Sequence, residues 1–143
     1  MGDALSLADA AIAVGEVPVG AVVVRQGKII GRGHNRTRID HDPTAHAEIV
    51  AIRQATRFLG NDRLEDCDLW VTLEPCTMCA GAIAHARIER LYYGADDPKG
   101  GAVESGVRFF DAPTCHHRPD IYAGMEGERS AKMLLDFFQG RRA

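Results

Sequence analysis

Residues 68–86 read DLWVTLEPCTMCAGAIAHA, and this stretch decides the fold. Its first part, Asp68 to Leu73, is a short run rich in the branched and aromatic residues that favour strands. Glu74-Pro75 then opens an alanine-rich segment that ends at Ala86, and this composition favours a helix. The stretch therefore predicts a strand that leads directly into a helix, with two cysteines in the first helical turn.

The segments before this stretch predict a helix, a hairpin and a second helix. Residues 4–14 are rich in alanine with leucine and isoleucine, which favours a helix. Two β-rich runs, 21–24 and 28–32, are separated by Gln26-Gly27 and are typical of a hairpin. Asp42-Pro43 supplies a capping residue with proline at the first helical position, so we expect a helix from there to Leu59.

The segments after it continue the alternation with shorter elements. We expect strands at 88–93 and 121–122, and a final helix at 126–139 whose apolar face carries Met133, Leu134, Phe137 and Phe138. Turn-forming residues dominate 94–119, which predicts an irregular connection with a short element near 107–110.

This order of elements predicts an α/β fold with a sheet covered on both faces. The hairpin is antiparallel and the strand–helix–strand units are parallel, so we expect mixed strand directions. A length of 143 residues with 45% apolar residues is typical of one core, so we expect residues 1–143 to form a single domain.

Charge and hydrophobicity exclude several classes of protein. The longest apolar run, Val17 to Val24, is far shorter than the roughly 20 residues of a membrane span. No basic residue precedes Arg25, so the basic region of a secretory signal is missing. We therefore expect no membrane association and a cytoplasmic location, where the four cysteines would be reduced.

The net charge of -3 gives no support to nucleic-acid binding. Any RNA contact would have to come from local basic clusters, for which ordinary solvated charges are the alternative interpretation. The candidates are Arg25, Lys28, Arg32, Arg36, Arg38, Arg141 and Arg142.

Three side chains form a candidate metal site. Cys76 and Cys79 are three positions apart in a first helical turn, where both sulfurs face one side and the positive helix end favours thiolate. His46 lies near the start of the other strong helix. If the two helix starts meet, one imidazole and two thiolates provide zinc with three protein ligands, and the fourth position stays open for water.

An open position on zinc lowers the pKa of a bound water from about 15.7 towards about 7. Glu48 is two positions from His46, and residues two apart on a helix point away from one another. We therefore expect Glu48 to reach the water and carry a proton rather than bind the metal. Hydrolytic removal of ammonia from an aminated ring needs both of these functions.

Two other interpretations of the cysteines remain open. A Cys-x-x-Cys motif after a strand is also typical of thioredoxin-like redox sites. A closed structural zinc site would need a fourth protein ligand, and the chain offers Cys67, Cys115, His116 and His117.

Two motifs, His46-Ala47-Glu48 and Pro75-Cys76-Thr77-Met78-Cys79, resemble the established signature of the zinc nucleoside and base deaminases. The chain is most similar to the bacterial tRNA-specific adenosine deaminases within that cytidine deaminase-like superfamily. This resemblance extends over nearly the whole chain and is strongest in the blocks 16–21, 33–35, 42–49 and 72–83.

The resemblance implies a three-layer α/β/α fold around a mixed sheet of about five strands. It also implies hydrolytic deamination of the wobble adenosine of an arginine tRNA anticodon to inosine, by a homodimer that binds the anticodon loop. In this family the matching residues have assigned roles: zinc ligands at His46, Cys76 and Cys79, the proton shuttle at Glu48, and substrate contacts at Asn35, Asp97 and Lys99.

Residues 106–119, with Cys115, His116 and His117, depart most from the family pattern, so their contribution to RNA contact stays open. A deaminase of free bases or nucleosides, of the cytosine or guanine type, would use the same zinc chemistry. A zinc-stabilised module without catalytic activity is a third hypothesis, and it predicts four protein ligands.

Overall fold

The chain forms four α-helices and five strands in a computed structural model, which describes residues 1–142 and the side chains of residues 1–140. In chain order the elements are α1 (Gly2–Ala13), β1 (Gly20–Arg25), β2 (Lys28–His34), α2 (Ala47–Leu59), β3 (Cys67–Leu73), α3 (Thr77–Ala86), β4 (Arg90–Ala95), a 3₁₀ turn (Phe109–Asp111), β5 (Asp120–Tyr122) and α4 (Gly127–Arg142).

The strands form one mixed sheet in the order β2-β1-β3-β4-β5. Strand β1 is antiparallel to β2 and β3, whereas β3, β4 and β5 are parallel. Gln26 and Gly27 connect the hairpin with φ values of 52° and 76°, as a two-residue turn between twisted strands requires. The predicted hairpin and the mixed sheet of about five strands are confirmed.

The register of the strands defines two faces, each covered by two helices. Ala21, Val71 and Tyr93 are paired across the sheet and belong to the core that also contains residues of α2 and α3. On the other face, β1 packs against α1 and β4 against α4. The three-layer α/β/α cytidine deaminase-like fold is therefore confirmed.

One contact shows how closely α2 packs on the sheet. A Cβ atom added at Gly33 would lie 2.6 Å from the carbonyl oxygen of Ala47, at the first turn of the helix. Only glycine allows this approach. The start of α2 is therefore fixed directly against β2.

Two predicted helix starts are wrong, for local reasons. Helix α2 begins at Ala47, because the Asp42 carboxylate accepts hydrogen bonds from the Thr44 backbone N–H at 2.9 Å and hydroxyl at 2.7 Å and so forms a turn before the helix. Helix α3 begins at Thr77, with Cys76 as its N-cap residue. Glu74 therefore precedes the helix instead of opening it.

The final helix differs from its expected burial pattern. Leu134 is half-buried, but Phe138, predicted on the apolar face, is 45% exposed. Within residues 1–142, no helix has both the length and the apolar character needed to cross a bilayer.

Candidate metal centre and active site

The N-termini of α2 and α3 meet at the end of the sheet and bring the three predicted ligands together. His46 and Cys76 are the N-cap residues of the two helices, with extended backbone at ψ 156° and 176°, and Cys79 lies in the first turn of α3. The Nδ1 atom of His46 is 3.6 Å from the sulfur of Cys76 and 3.6 Å from that of Cys79. All three ligand atoms lie within 4.8 Å of one another.

This spacing fits a tetrahedral zinc ion. Tetrahedral ligands at typical Zn–N and Zn–S distances of about 2.1 and 2.3 Å stand about 3.6 Å from each other. That value matches the separation of the His46 nitrogen from each sulfur. The donor set and the two nitrogen–sulfur distances therefore suit zinc.

The two thiols of the cluster differ in acidity. The hydrogen bond from the Cys79 thiol, together with that from His46, lowers the pKa of Cys76 to about 4 against the opposing effect of burial. The same bond to Cys76, together with burial, raises the pKa of Cys79. The hydrogen bond with Cys76 also raises the pKa of His46. Cys76 is therefore the more acidic of the two thiols.

Glu48 lies in the first turn of α2 and is only 4% exposed. Burial raises the pKa of its carboxyl group. The same carboxyl group raises the pKa of the Cys79 thiol, so the two side chains are neighbours. Glu48 therefore stands beside the metal cluster without being a member of it.

The alternative zinc ligands lie elsewhere. The thiols of Cys67 and Cys115 donate to the backbone oxygens of Glu65 and His117, and the His117 ring donates to the oxygen of Ile88. The His116 ring lies 5.1 Å from that of His85. In the described part of the chain, the cluster therefore has three ligands, which favours an open site over a closed structural one.

Asn35 lies directly against the metal-binding segment. Its Oδ1 atom accepts a hydrogen bond of 2.9 Å from the backbone N–H of Ala47, the residue after His46. The side chain of His46 forms no cap of its own, so Asn35 caps α2 from outside the helix. This contact brings a predicted substrate residue to the metal centre.

Asp97 and Lys99 lie in the connection after β4. The Asp97 carboxylate accepts hydrogen bonds from the backbone N–H groups of Lys99 at 3.3 Å and Gly100 at 3.1 Å, which folds the chain into a tight turn. Lys99 is exposed. Both residues line a cavity of about 690 Å³ beside α4, whose wall also contains Leu73, Leu134 and Phe138.

Glu74 is a feature of the site that the sequence pattern did not reveal. Its buried carboxylate accepts backbone hydrogen bonds from Asp97, Val103, Glu104 and Ser105, and one from the Ser105 hydroxyl. Burial raises the pKa of Glu74, but these hydrogen bonds outweigh it, so the pKa lies below the ordinary value. The available signal in the sequence was the acidic residue between the predicted strand and the first cysteine.

Two groups of the basic residues considered for RNA contact have neighbours in the described part of the structure. Arg25 pairs with Lys28 across the hairpin end, and Arg36 forms an ion pair of 3.0 Å with Asp40. The side chains of Arg141 and Arg142 lie outside the described part of the structure.

The comparisons with known proteins agree on one family. The family model of the MafB19-like deaminases matches residues 1–142. The tRNA-specific adenosine deaminase of Agrobacterium fabrum is 63% identical over 127 residues, which are 89% of this chain and 84% of that protein.

Two solved structures are also similar. One, from a study of A-to-I editing by tRNA A34 deaminases at the wobble position, has a TM-score of 0.92 and 61% identity over 94% of this chain and 97% of that chain. The guanine deaminase of Bacillus subtilis has a TM-score of 0.65 and 36% identity over 99% of this chain and 90% of that chain. The chain therefore belongs to the MafB19-like deaminase family of the cytidine deaminase-like superfamily, together with the tRNA-specific adenosine deaminases.

Proposed function

We propose that this protein hydrolyses the wobble adenosine of an arginine tRNA anticodon to inosine. The observation that carries the proposal is the open three-ligand cluster of His46, Cys76 and Cys79 with a buried carboxyl group, Glu48, at its side. The high identity to proteins named for adenosine deamination in tRNA supports adenosine as the substrate over other aminated bases.

His46, Cys76 and Cys79 would hold one zinc ion. When bound there, zinc would supply a Lewis acid that lowers the pKa of a water molecule at the site. The low pKa of Cys76 and the two helix N-termini favour the negative charge that a cation site needs.

Glu48 moves the proton. Deamination breaks the bond between carbon 6 and the amino nitrogen, forms a bond from carbon 6 to the oxygen of water, and releases ammonia. Glu48 takes a proton from the attacking water and delivers one to the amino nitrogen before it leaves. Burial raises the pKa of its carboxyl group, which makes the carboxylate a stronger proton acceptor.

In this proposal the substrate is bound by Asn35, Asp97 and Lys99. The Asn35 amide uses its oxygen to cap α2, and its nitrogen offers two donors to a nucleobase beside His46. Lys99 is an exposed cation next to Asp97 and suits a phosphate of the anticodon loop. The target base would be flipped out of that loop to reach Glu48.

Residues 1–143 act as a single domain in this proposal. One sheet with one core over the described residues supports it; Ala143 lies outside those residues.

The active form is a homodimer, and exposed apolar side chains such as Phe58 and Val107 suit a subunit contact. Sedimentation or light scattering tests the dimer. A tRNA substrate and free cysteines favour a cytoplasmic location.

Deamination of a free base is the second candidate function. The similarity to a guanine deaminase at 36% identity favours it. The same metal cluster would serve both reactions. The two functions differ in whether the exposed Lys99 contacts a phosphate of the substrate.

One assay separates the two functions. The protein loaded with zinc is incubated in parallel with an arginine tRNA, its anticodon stem-loop, adenosine, guanine and cytidine, and released ammonia is measured. We expect inosine at the wobble position and turnover of the two RNA substrates. Turnover restricted to guanine or to free nucleosides would contradict the proposed function and support the second candidate.

A further inference from the structure

Glu74 is a buried carboxylate whose charge is satisfied by backbone N–H groups. The residue follows β3 and is 2% exposed. One oxygen, Oε1, accepts from the Asp97 N–H at 2.9 Å and the Ser105 hydroxyl at 2.9 Å. The other, Oε2, accepts from the N–H groups of Val103 and Glu104 at 3.0 Å each and of Ser105 at 2.9 Å. Across the described residues Glu74 makes no ion pair.

These five donors come from the two ends of one segment, residues 97–105. Asp97 stands at one end, and Val103, Glu104 and Ser105 stand at the other, so a single side chain closes the loop. Hydrogen bonds between a charged group and N–H donors are among the strong ones in proteins. The path of segment 97–105 therefore depends on Glu74.

A second set of contacts joins the same segment to the metal-binding motif. The N–H of Ala102 donates to the oxygen of Pro75 at 2.9 Å, and Gly101 forms a β-bridge with Cys76. A Cβ atom at Gly101 would lie 2.5 Å from the Glu74 carboxyl carbon, so the loop backbone packs directly on the carboxylate. Glu74 thus lies between the loop and a metal-binding cysteine.

We propose that Glu74 is a positioning residue that holds segment 97–105 in register with the metal-binding segment 75–79. This inference rests on the proposed function, because it assigns the segment to RNA contact through Asp97 and Lys99. Glu74 itself contacts neither metal nor RNA. Its carboxylate fixes the distance between the RNA contact and the reacting base, so its loss raises KM for RNA more than it lowers kcat.

Glu74→Gln tests this inference with little change of shape. The amide oxygen can retain the three N–H donors at the Oε2 position, whereas the amide nitrogen at the Oε1 position faces the Asp97 N–H and cannot accept from it. Only the Asp97 end of the loop is released. Glu104→Gln is the matched control, because it removes the same charge from an exposed side chain of the same segment and keeps its backbone donor.

Three measurements decide the outcome: amide hydrogen exchange, bound zinc per chain, and steady-state kinetics on an anticodon stem-loop. For Glu74→Gln we expect the Asp97 amide to exchange about 10-fold faster and KM to rise about 10-fold. Zinc content stays at the wild-type value and kcat changes by less than about twofold. The control should match the wild type in exchange and zinc content. Unchanged exchange at Asp97, or equal loss of kcat with unchanged KM, overturns the inference.

Ser105→Ala provides a second variant that removes one donor without placing a new group in the site. It should accelerate exchange at residue 105 and raise KM by about twofold to threefold; wild-type behaviour in both would contradict the role of Glu74. If the wild-type protein converts no adenosine in the stem-loop, the proposed function fails. The exchange data then still decide whether Glu74 orders the loop.

Discussion

The side-chain oxygen of Asn35 accepts a hydrogen bond of 2.9 Å from the backbone N–H of Ala47. This bond caps α2 at the point where His46 turns out of the helix towards the two cysteines. One residue thus orients a metal ligand and, in the proposed function, contacts the substrate. The two roles use different atoms of the same amide group, so substitutions can separate them.

Asn35→Asp should keep the cap and lose the amide donors. A carboxylate oxygen accepts from Ala47 equally well and its charge is favourable at a helix N-terminus, so the free energy of unfolding stays near the wild-type value. Asn35→Ala should lower it by about 1 kcal/mol. Both variants should raise KM for the stem-loop by about 10-fold. Equal destabilisation by both variants in urea unfolding would contradict the capping role.

Glu48→Gln should abolish deamination and retain the metal. The amide has the shape of the carboxyl group but cannot carry a proton, and general acid–base groups contribute about 10²- to 10⁴-fold to rates. We therefore expect kcat to fall about 1,000-fold, with one zinc per chain by elemental analysis. His46→Ala is the comparison variant, because it should lose zinc as well as activity. A Glu48→Gln enzyme with full activity would exclude the shuttle.

Removal of the metal should expose one reactive thiol. At pH 6 the metal-free protein has Cys76 almost fully as thiolate, since its pKa is about 4, whereas burial raises the pKa of Cys67 and the bond to Cys76 raises that of Cys79. Iodoacetamide should therefore modify Cys76 at least about 10-fold faster than Cys67 or Cys79, and added zinc should protect it. Peptide mapping by mass spectrometry measures the rates. Modification that zinc does not slow would contradict a metal site at Cys76.

The metal cluster was predictable because its ligands follow local rules. Cys76 and Cys79 are three residues apart at a helix start, which places both sulfurs on one side, and His46 precedes the other amphipathic helix. The alternation of strands and helices likewise predicted the three layers. The two helix starts depend on residues close together in the sequence, whereas the meeting of His46 with cysteines 30 and 33 positions away was implied by the family signature.

The features that sequence did not reveal depend on distant partners. Glu74 binds backbone N–H groups that lie 23 to 31 residues further along the chain, and backbone donors leave no mark in a sequence. The start of α2 was misplaced for the same reason. Asp42 satisfied the local rule for a cap, but the residue that caps the helix is Asn35, twelve positions before Ala47.

Asp42→Asn should lower the stability of the protein at neutral pH and have less effect at acid pH. The hydrogen bond from the Thr44 hydroxyl and, to a smaller extent, the one from the Thr44 N–H lower the pKa of Asp42 from its ordinary value of 3.8. A lowered pKa in the folded state stabilises the protein above 3.8, and this contribution is lost as the pH falls through the folded-state pKa. Asparagine keeps an acceptor of the same shape, so the comparison isolates the charge.

We expect the melting temperature of Asp42→Asn to lie below the wild-type value at pH 7 by no more than about 2 °C, because the side chain is partly exposed. The difference between the two proteins should shrink as the pH falls below 3.8. Calorimetry at pH 7 and pH 3 measures the difference. A gap of the same size at pH 3 would show that the charge of Asp42 is not its cause.

Ser130→Ala should stabilise the protein. Among the side chains that the structure describes, the Ser130 hydroxyl is fully buried and has no hydrogen-bond partner, where α4 packs on the sheet against Gly94. A buried unpaired hydroxyl costs about 1–3 kcal/mol, and alanine also has the higher helix propensity. The small void left by the oxygen offsets part of this gain, so we expect the free energy of unfolding to rise by about 0.5–1 kcal/mol in urea. Ser105→Ala is the matched control and should lower the free energy of unfolding, because the Ser105 hydroxyl donates to the Glu74 carboxylate at 2.9 Å. If both variants lower stability equally, the Ser130 hydroxyl must have a partner in solution.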